Sequence, residues 1–351
     1  MSFTRYTLYF CRIRSKRVRR FYIIIDMKIY LLKRSYFTFR GKRSYELDLL
    51  GKNCFERMRG ALDAEVTEGA LPAGEKLVLY SAYPFLTAEE LTQFLAVHTG
   101  SVRFRGGYLE RGGTFRECSD PSEGLFTLAD YAACLARAER DSIRLHAERG
   151  ALVEEGARVD VTVRLGWGAA VRRGAVVTGN SVIGEDAEIT GGSVVANSFV
   201  GAGSRIESSI LTDARVGKRC TVGPFARLRP ASAVGDDCRI GDFVELKNAR
   251  VGDGCKIAHL AYVGDADLAE EVNVGCGVVF ANYDGKRKSR TRVGRGAFLG
   301  SNCNLIAPVN VGERCYVAAG TTLTRDLAGG DFCIGRSRET VKKDASKKYL
   351  G

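Results

Sequence analysis

Residues Val216-Gly217-Lys218-Arg219-Cys220-Thr221-Val222-Gly223-Pro224-Phe225-Ala226-Arg227 decide the fold. They form two six-residue units, each reading apolar, small, any, any, small, any. The anchors are Val216, Gly217 and Cys220 in the first, and Val222, Gly223 and Ala226 in the second. The unit recurs on both sides. Upstream, Ile183-Gly184 leads to Ala187. Downstream, Val234-Gly235 leads to Cys238, Ile240-Gly241 to Val244 and Val251-Gly252 to Cys255. Val274-Gly275, Val293-Gly294 with Ala297, Leu299-Gly300 with Cys303, Val311-Gly312 with Cys315 and Val317-Ala318 with Thr321 continue it. A fixed short period marks a repeat architecture before it marks any single strand. The rhythm runs from about Val161 to Thr324.

The period has a physical reading. Each hexad is one short strand and a corner, and three hexads close one coil of a triangular prism. The aliphatic residue points inward and stacks on its equivalent in the next coil. The Gly or Ala after it lets the backbone turn. The fifth residue also faces a narrow interior, so it must be small. Such a solenoid is quasi-one-dimensional, each coil being stabilised by its neighbours. Cys220, Cys238, Cys255, Cys303 and Cys315 all fall at the fifth position, where a free Cys serves as a small hydrophobe.

Composition excludes several other classes. The chain has eleven cysteines but no Cys-x-x-Cys pair, and only three histidines. A zinc site is therefore not expected. The formal charge of +12 sits in one place: residues 1–43 hold 13 Lys/Arg against the single acid Asp26, and the remainder is balanced. Three readings of this basic segment stay open. A solvated extension is favoured over a surface for an anionic partner, and that over a targeting peptide, since the apolar run Phe21–Ile25 is too short and is broken by Asp26 and Lys28. No stretch is long enough to span a membrane. The expectation is a cytoplasmic protein with small-molecule substrates, binding no nucleic acid.

The rhythm breaks once, at Asn282-Tyr283-Asp284-Gly285-Lys286-Arg287-Lys288-Ser289-Arg290-Thr291-Arg292, a polar, basic stretch with a turn at Asp284-Gly285. A loop ejected from a rigid scaffold is where function concentrates.

Around it lie specific motifs. Gly223-Pro224-Phe225-Ala226-Arg227-Leu228-Arg229-Pro230 is followed by Phe243-Val244-Glu245-Leu246-Lys247 and His259-Leu260-Ala261-Tyr262-Val263-Gly264-Asp265-Ala266. Asn273-Val274-Gly275, Asn282-Tyr283-Asp284-Gly285 and Ala318-Ala319-Gly320-Thr321-Thr322 complete the order. This set resembles the C-terminal domain of the bacterial bifunctional enzymes that acetylate glucosamine-1-phosphate and then uridylylate the product. The likeness covers about residues 148–340.

The resemblance implies a mainly β fold. It is a left-handed parallel β-helix, preceded by a truncated α/β nucleotidyltransferase-like remnant and a connecting helix. It implies a homotrimer with each site assembled between adjacent subunits. His259 would be the general base, an imidazole whose ordinary pKa of ~6.5 lies near working pH. Arg229 and Lys247 would grip the sugar phosphate, the one by parallel bonds and the other as a point charge. Tyr262 and Asn273 would contact the sugar, and Lys288 would lie near the substrates. Asn282, Tyr283, Ser301, Ala319 and Arg336 match positions that bind acetyl-CoA. Cys276 stands where the family commonly has Ala at a CoA contact. The implied activity is N-acetylation of glucosamine-1-phosphate on the route to UDP-N-acetylglucosamine and cell-wall peptidoglycan precursors. Another amino-sugar phosphate as acceptor, or a non-catalytic trimeric scaffold, are the alternatives.

The front half departs from the family. Its Gly-rich phosphate loop is missing. The strand Leu77–Tyr80 is followed by Ser81-Ala82, where the family has an acidic magnesium ligand, and Ala offers no oxygen to a hard cation. The second expected ligand, an Asn, is absent from Gly124-Leu125-Phe126-Thr127-Leu128. Magnesium binding and uridylyl transfer are therefore expected to be lost. Thr127 instead reads as an N-cap with Asp130 three residues on. The expected domains are a basic segment of uncertain structure at 1–45, the remnant at 46–125, a connector helix at 126–150, the β-helix at 151–335 and a tail at 336–351.

Overall fold

The computed structural model describes residues 27–62, 64–66, 71–346 and 348. Residues 1–26, which carry the first part of the basic segment, lie outside them. The chain divides into two compact units, at 1–138 and 139–351.

The second unit is the solenoid. Its short strands fall into three parallel sheets of 10, 9 and 11 strands, and successive strands along the chain pass from sheet to sheet. The hexad fixes the register. In the 11-stranded sheet Val222, Ile240, Ile257, Val274, Leu299 and Val317 pair in one column. Leu228, Leu246 and Val263 do the same in the 10-stranded sheet, as do Val234, Val251, Leu268, Val293 and Val311 in the 9-stranded one. All of these side chains are buried in one continuous core. The five fifth-position cysteines are buried too. Cys220, Cys238 and Cys255 each donate the thiol to a carbonyl of the next coil, those of Gly235, Gly252 and Ala269.

The small residue after each aliphatic is required by the closeness of the coils. A Cβ on Gly241 would lie 1.8 Å from the Ala258 carbonyl oxygen, so no side chain fits there without moving backbone. Many corners adopt the left-handed region, and about half of the non-glycine residues there are Asp or Asn, such as Asp237, Asn248, Asp265 and Asn302. Short polar side chains tolerate that geometry. Phe225, Phe243 and Leu260 depart from it, with φ of 60°, 56° and 38°. Their side chains stand outward, 60%, 59% and 58% exposed, and the two rings stack 5.5 Å apart.

The first unit is a six-stranded sheet in the order Glu65–Val66, Lys28–Leu32, Lys76–Tyr80, Gly107–Glu110, Val102–Phe104, Arg116–Glu117. The first three run parallel, and Gly107–Glu110 is antiparallel to both its neighbours. Helices α1 (Cys54–Ala61) and α2 (Ala88–Val97) start on reciprocal caps, Asn53 with Glu56 and Thr87 with Glu90. Leu31, Leu77, Leu79, Tyr83 and Leu109 are fully buried. The sheet starts upstream of 46, the expected first residue of the remnant: Lys28–Leu32 pairs on both sides inside it. The reason is that Leu31 fills the core while Lys28 and Lys33 point out, so the strand is short and masked in sequence by its flanking charges.

Helix α3 (Leu128–Glu148) begins as the cap signal requires. The Thr127 main-chain N–H donates to Asp130 Oδ2 at 2.8 Å, and the Asp130 N–H donates to Thr127 Oγ1 at 3.2 Å. Cys134, Ala138, Ser142 and His146 form one buried stripe at a spacing of four. Leu128, in the first turn, is exposed. Among the described residues no helix is long and apolar enough to cross a membrane.

His146 is 2% exposed, and neither ring nitrogen has a hydrogen-bond partner among the described residues. Burial, with help from Arg149, depresses its pKa. The stability gained by burying the neutral ring is present above the unfolded value of ~6.5 and is lost as pH falls through it toward the folded value. Only the unfolded chain takes up the proton in that window. Thermal denaturation is expected to show Tm falling from about pH 7.5 to about pH 5.5, with a shallower fall in His146→Leu. Equal slopes for the two proteins would remove His146 as the cause.

Candidate active site

Two outward edges of the 10-stranded sheet collect nearly all the residues singled out in sequence. Arg229 and Lys247 follow the inward-pointing Leu228 and Leu246, which pair directly. They therefore stand outward in adjacent coils, roughly 4.8 Å apart along the stack. Arg229 Nη1 donates to Glu245 Oε1 at 2.8 Å, and Lys247 Nζ lies 3.5 Å from Asp265 Oδ2. Tyr262 stands outward beside Glu245, its partner in register.

The ejected loop brings Lys288 to the same edge. Asp284 Oδ1 accepts from the N–H groups of Lys286 and Arg287, which forms the expected turn, and Tyr283 bridges to Lys288. The Lys288 ammonium lies beside that of Lys247, which lowers its pKa, and Arg229 adds to the effect. Three cations thus face solvent together, an arrangement suited to an anion with several oxygens.

The other edge carries His259. It ends the strand Lys256–His259, and its Nδ1 lies 2.8 Å from Asp242 Oδ1 in the preceding coil. With Nδ1–H given to the carboxylate, Nε2 is left as the proton acceptor. Both side chains are partly exposed, at 55% and 41%, so solvent screens the pair. The hydrogen bond from His259 is the main cause that holds Asp242 below the ordinary carboxylate range.

Successive coils continue this edge. The Gly277 N–H bonds the Leu260 carbonyl, Asn302 bonds Cys276, and Gly320 bonds Ser301. Arg336 Nη1 donates to the Ala319 carbonyl at 2.9 Å. His259, Cys276, Ser301 and Ala319 therefore form a line of about 14 Å at one coil spacing per step. Asn273 stands on the adjoining 11-stranded face, in register with Lys256 and Phe298. Cys276 is exposed.

Not every residue points to solvent. Asn282 is 7% exposed, and its amide donates to the Asp265 carboxylate. Its side chain holds the loop, whereas Tyr283 is exposed. Sequence reasoning assigned no role to Asp242, Glu245 or Asp265. Their signal was an acid one coil from each basic or imidazole group, visible only once the coil length is known. A groove of about 690 Å³ lined by Arg164, Asn197, Asp213 and Arg215 contains none of them. Among the described residues no group of three or more His, Cys, Asp or Glu could hold a metal ion.

Comparison with known proteins defines the class first. A family model described as the hexapeptide repeat of succinyl-transferase matches residues 290–325, so the solenoid is a hexapeptide-repeat β-helix. A bifunctional protein GlmU from Clostridium botulinum is 42% identical over 189 residues, which are 54% of this chain and 41% of the relative. That of Shouchella clausii is 49% identical over 172 residues, 49% of this chain and 38% of the relative. The solenoid half of the chain is related in sequence to the bifunctional GlmU proteins. The chain spans about two-fifths of the length of these curated relatives. The structure of UDP-N-acetylglucosamine acyltransferase from Francisella novicida aligns at a TM-score of 0.31 and 17% identity, over 48% of this chain and 61% of that one.

Because the imidazole stabilises the Asp242 carboxylate, its removal is expected to raise the Asp242 pKa. A carboxyl NMR titration should place Asp242 nearer ~3.9 in His259→Ala than in the wild type. An unshifted curve would mean the contact does not persist in solution.

Proposed function

We propose that this chain is an acetyl-CoA-dependent N-acetyltransferase acting on glucosamine-1-phosphate in a homotrimer, and that it has no uridylyltransferase activity. The observation that carries the reading is the paired arrangement on the solenoid. An imidazole with a free Nε2 begins a linear edge long enough for an extended cosubstrate, and a three-cation cluster lies across the same face. The relatedness of this half to the GlmU proteins supports the same assignment.

The chemistry is a direct transfer. The acceptor amine attacks the thioester carbon of acetyl-CoA, forming the C–N bond. His259 Nε2 takes a proton from the nitrogen. The C–S bond then breaks, and the proton passes to the departing thiolate or to solvent. Asp242 holds the ring in the accepting tautomer and offsets the charge that it gains. Arg229, Lys247 and Lys288 bind the phosphate, and Tyr262 and Asn273 orient the sugar. Holding both reactants at the correct angle supplies much of the acceleration.

The trimer has a physical motive as well. Phe225, Phe243 and Leu260 form an exposed apolar ladder ending beside His259, and a neighbouring copy would cover it and close the open face. Loss of uridylyl transfer rests on the first unit. Ala82 is fully buried, and Ser81 Oγ accepts the Arg34 N–H at 3.1 Å, so neither is offered to a cation.

The test is thiol release from acetyl-CoA in the presence of glucosamine-1-phosphate. Turnover is expected in the wild type, falling roughly 10²- to 10⁴-fold in His259→Ala. No turnover in a well-folded protein would overturn the reading. Adding UTP and magnesium is expected to yield no nucleotide sugar, and any such product would restore the second activity.

A further inference from the structure

Asp265 joins the cation group to the ejected loop. It is 8% exposed and follows the strand Tyr262–Gly264 at a left-handed corner. Its Oδ1 accepts from Asn248 Nδ2 at 2.6 Å. Its Oδ2 accepts from Asn282 Nδ2 and lies 3.5 Å from Lys247 Nζ. Its main-chain N–H donates to the Lys247 carbonyl at 2.9 Å, and its own carbonyl accepts the Thr291 N–H at 3.1 Å. One residue therefore holds the preceding coil and both ends of the ejected loop.

The loop closes around this anchor. The Ser289 N–H donates to the Asn282 carbonyl at 2.8 Å. Arg290 pairs with Asp267 through two nitrogens and also bonds the Asn248 and Ala266 carbonyls. The closed loop carries Lys288 against Lys247, with Arg229 near. Like charges at that range oppose closure. The Asp265 carboxylate supplies a nearly buried counter-charge, and an anion among the ammonium groups would supply the rest.

We propose that Asp265 is a positioning residue that couples anion binding at Lys247 and Lys288 to the ordering of loop 282–291. Loop closure and anion capture are then one linked equilibrium, because the anion favours the closed state in which the cations converge. This rests on the proposed function for the identity of the anion as a sugar phosphate and for the place of the cosubstrate. The coupling extends to the cosubstrate side, since the loop begins at Asn282 and Tyr283.

Asp265→Asn removes the charge while keeping a residue suited to the left-handed corner. Hydrogen exchange of a peptide covering 282–292 is measured with and without inorganic phosphate. In the wild type phosphate is expected to slow exchange. In Asp265→Asn exchange is faster, and roughly ten-fold more phosphate is needed for the same protection, the scale for losing a hydrogen bond to a charged group. Asp326→Asn, which removes a carboxylate bonded to Asn310, should behave as wild type. Lys288→Met relieves the repulsion, so its loop is expected to be protected without phosphate, which decides the matter if Asp265→Asn fails to fold. In the acetyl-transfer assay Asp265→Asn should raise KM for both substrates. Exchange in Asp265→Asn equal to wild type, an unprotected loop in Lys288→Met, or a KM change for one substrate alone would overturn the coupling. A wild type without acetyl transfer would sink the proposed function, and the exchange data would still decide the role of Asp265.

Discussion

The whole solenoid depends on how closely one coil may approach the next. Backbone stacked at the spacing of paired β-strands leaves no space at the residue after each inward aliphatic, as Gly241 against the Ala258 carbonyl illustrates. That constraint selects Gly or Ala at one position and a small side chain at another. It also forces every outward residue into vertical columns. Function is written on those columns, because side chains far apart in sequence become neighbours wherever they share a place in the coil.

Two such columns border a single sheet face. One presents imidazole, thiol, hydroxyl and main-chain groups in a line. The other presents cations whose mutual repulsion is moderated by two carboxylates, Glu245 and Asp265. The two columns have different surroundings. The imidazole stands at an exposed corner, whereas the cation cluster is anchored by a carboxylate that is almost out of reach of water. The rigid repeat keeps the two apart by about the length of one short strand, such as Tyr262–Gly264, and lets a loop reach across without disturbing the core.

Legibility in the sequence followed from range. The solenoid was readable because its signal is local and recurs every six residues, and the interior role of Cys238 and Cys255 followed from the same count. The Thr127–Asp130 cap was readable because it spans three residues. The strand Lys28–Leu32 was missed because five residues between basic flanks give too short a pattern, and its burial comes from long-range pairing with Lys76–Tyr80. The partners of His259 and Lys247 were missed for another reason. Asp242 and Asp265 lie about one coil away, and a coil is not of constant length, so their registration needs the three-dimensional stack. The inward turn of Asn282 was likewise invisible, since the motif marks the residue and says nothing of where its amide goes.

The fifth-position cysteines have a use beyond packing. Cys220, Cys238, Cys255, Cys303 and Cys315 are shielded from the middle of the prism to its C-terminal coils, while Cys276 stands in the open. A thiolate must meet its reagent to react, so the rate at which each interior thiol is alkylated reports the opening of its own coil. The protein thus carries a graded set of built-in probes along its axis, with a surface thiol to calibrate them. For a quasi-one-dimensional fold, whose ends fray independently of its middle, such a set could map where unwinding starts.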